Sequence, residues 1–78
     1  MAIYGITWTS ATHQESVAQT GYEFDSVKDA EKLAKKGPRY VEKVVGMLVD
    51  SMSSLSYSDV THAVIQTLDD DVKVLEIG

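Results

Sequence analysis

The sequence predicts an α+β domain, β-β-α-α-β-β, with an antiparallel sheet of about four strands covered on one face by two helices. Three observations carry this. Residues 2–10 alternate bulky with small or polar side chains. Residues 26–53 place apolar side chains at helical spacing. The last third returns to alternation on either side of Asp69-Asp70-Asp71.

In the first element Tyr4, Ile6 and Trp8 share one face, and Ile3, Gly5, Thr7 and Thr9 the other. Period two with aromatic and β-branched content is a strand signal, and the bulky face is the expected core face. The polar run Ser10 to Glu15 is a connection. A second strand follows from Ser16 to Phe24, with Ala18, Thr20, Tyr22 and Phe24 on one face, pairing with the first as a hairpin.

Ser26 with Asp29 three residues on approximates a capping box, and Asp25 is an alternative cap. Val27, Ala30, Leu33 and Ala34 then form one stripe of an amphipathic helix. Gly37-Pro38 ends it and opens a second, since Gly suits a helix C-terminus and Pro the first helical turn. The second helix shows Val41, Val44, Val45, Leu48 and Met52 on one stripe and is expected to reach Ser53. Gly46 lies on its opposite face, at a cost of roughly 1 kcal/mol relative to Ala. The Ser-rich run 51–56 reads as a helix end and a turn.

Val60, Ala63, Val64, Thr67 and Leu68 also fit a helical period. The β-branched content of 60–67 stiffens χ1 and favours a strand. A hairpin of 60–68 with 72–77 satisfies both segments at once; a third helix over 58–68 is the alternative.

At 78 residues the chain is expected to form a single domain over 1–78. The absence of cysteine excludes disulfides and thiolate metal sites. The N-terminal residues lack the basic and apolar regions of a signal peptide, and no apolar run approaches the ~20 residues of a membrane helix. A soluble, cytoplasmic protein without membrane contact is expected. The net charge of -5 argues against direct binding to duplex DNA.

That charge is segregated. Lys28, Lys32, Lys35, Lys36, Arg39 and Lys43 give segment 25–43 an excess of basic residues. Segment 44–78 carries Asp50, Asp59, Asp69, Asp70, Asp71 and Glu76 against Lys73 alone. Lys28, Lys32, Lys35 and Lys36 fall on one side of the first helix, either a ridge for phosphate groups or a solvated face with Glu31–Lys35 as an ordinary i,i+4 pair. Asp69-Asp70-Asp71 lacks the alternating spacing and distal Glu of a calcium loop, so no metal site is assigned and a hairpin turn is the simpler reading. An acidic surface of this kind can also steer a basic partner.

No nucleophile elbow and no Gly-rich phosphate loop are present. His13 falls in a connection and His62 in a strand, where its ring is expected to be partly buried and hydrogen-bonded. No catalytic residue and no cofactor are assigned, and the chain is not expected to be an enzyme. Tyr40 and Met47 project to the rim of the second helix, and Tyr57 falls in a turn. Tyr and Met are enriched at interfaces, so these three are candidate apolar contacts.

In size and coarse layout the chain resembles the small acidic α+β proteins that bacteriophages encode against host defences, such as anti-CRISPR proteins. The resemblance covers general character over the whole chain and transfers no site residue. It implies occlusion: an acidic surface filling a basic groove that normally holds nucleic acid. On that reading Asp59, Asp69, Asp70, Asp71 and Glu76 meet the partner protein, with Tyr40 and Met47 as anchors. A second reading is a homo-oligomeric binder of a phosphorylated small ligand such as a signalling nucleotide. Lys32, Lys35, Lys36 and Arg39 would hold the phosphates, and Trp8 or Tyr40 would stack on a base. A third is a self-assembling structural protein joined through sheet edges.

Overall fold

The computed structural model describes residues 3–20 and 23–78. It is an α+β fold built on a five-stranded antiparallel sheet. The strands are β1 (Tyr4–Ser10), β2 (Glu15–Thr20), β3 (Val49–Ser51), β4 (His62–Thr67) and β5 (Lys73–Ile77), in the order β3-β2-β1-β4-β5. Helix α1 (Val27–Ala34) lies between β2 and β3 and packs on β1 and β4.

The expected alternation of β1 holds. Ile6 and Trp8 are fully buried and stand opposite Ile65 and Ala63 of β4. Burial of side chains of this size stabilises by roughly 1.5–3 kcal/mol each. The Trp8 indole N–H donates to the Ala34 carbonyl at 3.1 Å, so the last turn of α1 is tied to the centre of the sheet. The ring therefore has no exposed face for stacking on a base, which removes Trp8 from the small-ligand reading.

β2 carries a bulge. Trp8 pairs with Ala18 and Thr9 with Ser16, leaving Val17 as the extra residue. Strict alternation would send Val17 to the open face; the bulge turns it into the core beside Ala18, and both are fully buried. Phe24 is buried and bridges to Tyr4. Tyr22, expected on the same face, lies outside the described residues.

Ser26 caps α1 as expected, its hydroxyl accepting from the Asp29 N–H at 3.5 Å. Gly37, with φ of 91°, precedes α2 (Pro38–Tyr40), which opens on Pro38. From there the structure departs from the sequence reading. The helix widens into a π-turn over Val41–Val45 and stops at Gly46, whose φ of 83° is left-handed. Val41, Val44, Val45 and Gly46 are weak helix formers, and β2 needs a partner on its outer side. The chain therefore turns extended, and Val49–Ser51 pairs with β2. Only Val41 of the expected stripe is buried; Val44, Val45, Leu48 and Met52 are exposed, and Val49 enters the core instead. Gly46 is thus the helix stop rather than a tolerated interior glycine, and the sheet has five strands rather than four.

The C-terminal hairpin forms as expected, with 62–67 a strand and not a helix. A 3-10 turn over Tyr57–Asp59 precedes it. Gly5 gives the hairpin base room on the open face of the sheet: a Cβ there would stand 2.8 Å from Leu68 Cδ2 and 3.3 Å from Gln66 Nε2. No helix among the described residues is long and apolar enough to cross a membrane.

Candidate functional site

The topology collects acidic residues from distant segments at one end of the sheet. Tyr4, which starts β1, is bridged by Phe24 on one side and paired with Thr67 on the other. The Leu68 N–H donates to the Ile3 carbonyl at 2.9 Å. Phe24 and Thr67 therefore flank the same end of β1, two strand spacings apart, about 10 Å, and the chain runs on from Thr67 into the hairpin tip. Together these pairings bring Glu23, Asp25, Asp69, Asp70 and Asp71 to that end, all exposed.

Asp69, Asp70 and Asp71 form the tip of the β4–β5 hairpin, with Asp71 in the left-handed region at φ 57°. Exposed Leu68, Val72 and Val74 flank them. The Thr67 hydroxyl accepts from the Val72 N–H at 3.0 Å, and the Thr67 N–H donates to the Val72 carbonyl at 2.9 Å. These bonds close the loop and hold the three carboxylates on a fixed base. No ion pair engages them among the described residues.

A cleft of about 420 Å³ opens on the helix side of this end. Phe24, Leu33 and Met47 supply its apolar walls; Glu23, Asp25 and Asp29 stand at its rim with a single cation, Lys32. Met47 reaches it because the chain left the helix at Gly46, and it packs against the core rather than projecting at a helix rim.

The other expected residues are placed differently. Asp59 sits at the opposite end of β4, where the Thr61 N–H donates to the Thr9 carbonyl at 2.9 Å. Its carboxylate accepts from the Ser56 N–H at 3.0 Å, closing the cap of the 3-10 turn. Glu76 lies mid-strand opposite Val64 and pairs with Lys73 at 3.8 Å. The C-terminal carboxylates are thus spread along the hairpin, and the hairpin tip is their one cluster among the described residues.

Tyr57 is half-buried, and its hydroxyl donates to Glu42 Oε2 at 3.4 Å. Burial, and next the negative charge of Glu42, raise its pKa above the ordinary 10.0. Tyr40 is exposed, with the Lys36 ammonium 5.6 Å from its ring centroid. Lys28, Lys32, Lys35 and Lys36 do share a groove, but Glu31 stands among them and pairs with Lys35 at 3.6 Å. Arg39 lies beyond the Gly37-Pro38 break and does not line that groove. His62 is half-buried with Nδ1 2.7 Å from the Thr61 hydroxyl, as expected for a satisfied sheet histidine.

Sequence reading missed Glu23 and Asp25 as partners of the hairpin tip. They stand more than forty residues from it in the chain, and only the pairing of both neighbours to the start of β1 unites them. Among the described residues no group of three or more His, Cys, Asp or Glu side chains could hold a metal ion. No protein-family model, curated protein or solved structure matches this chain.

Proposed function

We propose that this chain is a protein-binding module that presents its acidic end to a basic surface of a partner protein and occludes it. The observation that carries the reading is the meeting of two features at that end. One is the apolar cleft of Phe24, Leu33 and Met47 under the carboxylates of Glu23, Asp25 and Asp29. The other is the fixed tip of Asp69, Asp70 and Asp71 with Leu68, Val72 and Val74 beside it. An apolar floor under an acidic rim suits the aliphatic stem and cationic head of a Lys or Arg side chain. The exposed tip supplies the long-range attraction that speeds encounter. A basic groove that ordinarily holds nucleic-acid phosphates is the chemistry this end complements, in line with the occlusion implied by the resemblance to phage anti-defence proteins.

The test is affinity capture from host lysate with the wild-type chain and with an Asp69→Lys, Asp70→Lys, Asp71→Lys variant, followed by mass spectrometry. Basic proteins retained by the wild type and lost by the variant support the reading. Their association rate should fall about tenfold or more on charge reversal and decline with added salt. An identical set of captured proteins would overturn it.

A further inference from the structure

We infer that β3 is a self-association edge, through which two copies of this chain pair their sheets antiparallel about a two-fold axis. β3 has β2 as a neighbour on one side and is the last strand of the sheet on the other. Its ladder phase follows from the bond between the Met52 N–H and the Val17 carbonyl at 2.8 Å. Main-chain groups alternate in direction along an antiparallel strand, so Met52 and Asp50 point toward β2, and Val49 and Ser51 point outward. Those outward groups are a template for a further strand.

Exposed apolar side chains bracket this edge. Val44 and Leu48 are each 66% exposed, Val45 is 40% exposed, and Met52, just after the strand, is 51% exposed. The occupant is identified by charge. Arg39, Glu42, Lys43 and Asp50 are the residues charged at neutral pH between 39 and 52, and they sum to zero in a chain whose net charge is -5. Two copies of an acidic protein repel each other at most approaches; here they meet without net repulsion over a screening length of about 8 Å. An isologous contact also lets identical apolar residues meet across the axis. The axis passes through Val49 or Ser51, because an axis at Asp50 would set two carboxylates directly opposite.

The inference does not rest on the aspartate tip of the β4–β5 hairpin, which lies at the opposite edge of the sheet. Sedimentation velocity across a wide range of chain concentration tests it. The wild type should approach the mass of two chains as concentration rises. Ser51→Pro removes an outward N–H, which an edge strand tolerates, and should leave the fold intact by circular dichroism. That variant and Leu48→Lys should each weaken the dimer about tenfold or more. Asp69→Lys, Asp70→Lys, Asp71→Lys should leave the dimer in place, which separates this inference from the partner reading. If Ser51→Pro does not fold, Leu48→Lys decides alone, since its side chain lies outside the core. A wild type of single-chain mass at every concentration would overturn the inference. So would a folded Leu48→Lys variant that dimerises as the wild type does.

Discussion

The two edges of the sheet are made of opposite materials. β5 is five residues long, carries a bulge at Val74, and sets Lys73 and Glu76 along its length with three aspartates at its entrance. Those are devices by which sheet proteins keep edges from pairing. β3 is three residues long, with Val44, Val45 and Leu48 exposed before it and Met52 after it. The difference is one of origin. β5 comes from a hairpin whose turn chemistry is local, whereas β3 is recruited from a helix that stopped early. One edge is held open by charge, and the other is short but apolar.

The largest expected effect falls on what the two edges share. Trp8→Ala removes the ring between β1 and α1 and its bond to Ala34. It should cost about 3–5 kcal/mol in urea denaturation and lower the protection of β2 and β4 amides together. If amides on only one side lose protection, the two halves of the sheet are not one cooperative unit.

Gly46 should separate the edges. Its φ of 83° is the stop that frees residues 47–51 to become a strand, and no atom beyond its neighbours would meet an added Cβ. Gly46→Ala should therefore cost about 1–2 kcal/mol through backbone strain alone. The exchange rates of Asp50 and Met52 amides should rise well before those of β4. Gly46→Asn, which tolerates the left-handed region, should recover most of the loss.

Tyr57 links the turn before β4 to the π-turn before β3 through Glu42. Its folded-state pKa is raised above 10.0. The neutral phenol is therefore favoured in the folded chain, and the unfolded chain ionises first. This contribution is fully present below pH 10.0 and is lost as pH rises through the folded-state value. Tyr57→Phe should flatten the alkaline decline in melting temperature; an unchanged decline would remove Tyr57 as its source.

The smallest effect is expected at β5. Lys73→Val with Glu76→Val should shift stability by less than about 0.5 kcal/mol, because the pair is exposed. The same variant should associate more readily at high concentration, as light scattering would show, because it strips the charges guarding the edge.

Much of the fold was legible because its signals are local. The alternation of Tyr4, Ile6 and Trp8, the Ser26 cap, the Gly37-Pro38 break and the 60–68/72–77 hairpin each rest on residues close in sequence. The second helix misled because a stripe at 41, 44, 45, 48 and 52 satisfies a helical period whether or not it is buried. Met47 to Asp50 also alternate inward and outward, and the unpaired side of β2 decided between the two periods. Asp69, Asp70 and Asp71 were legible as a turn; their convergence with Glu23 and Asp25 was not, because it depends on which strands flank β1.

The sequence by itself determined the fold class, the cap and breaks of the helical middle, the hairpin and the uneven charge, all products of side-chain period, backbone restriction and composition. Only the tertiary structure decided where the helix yields to β3, that Val17 turns inward at a bulge, and which carboxylates share one end of the sheet. Each of those outcomes depends on an unpaired strand edge or a shared neighbour, and edges and neighbours exist only once distant segments have paired.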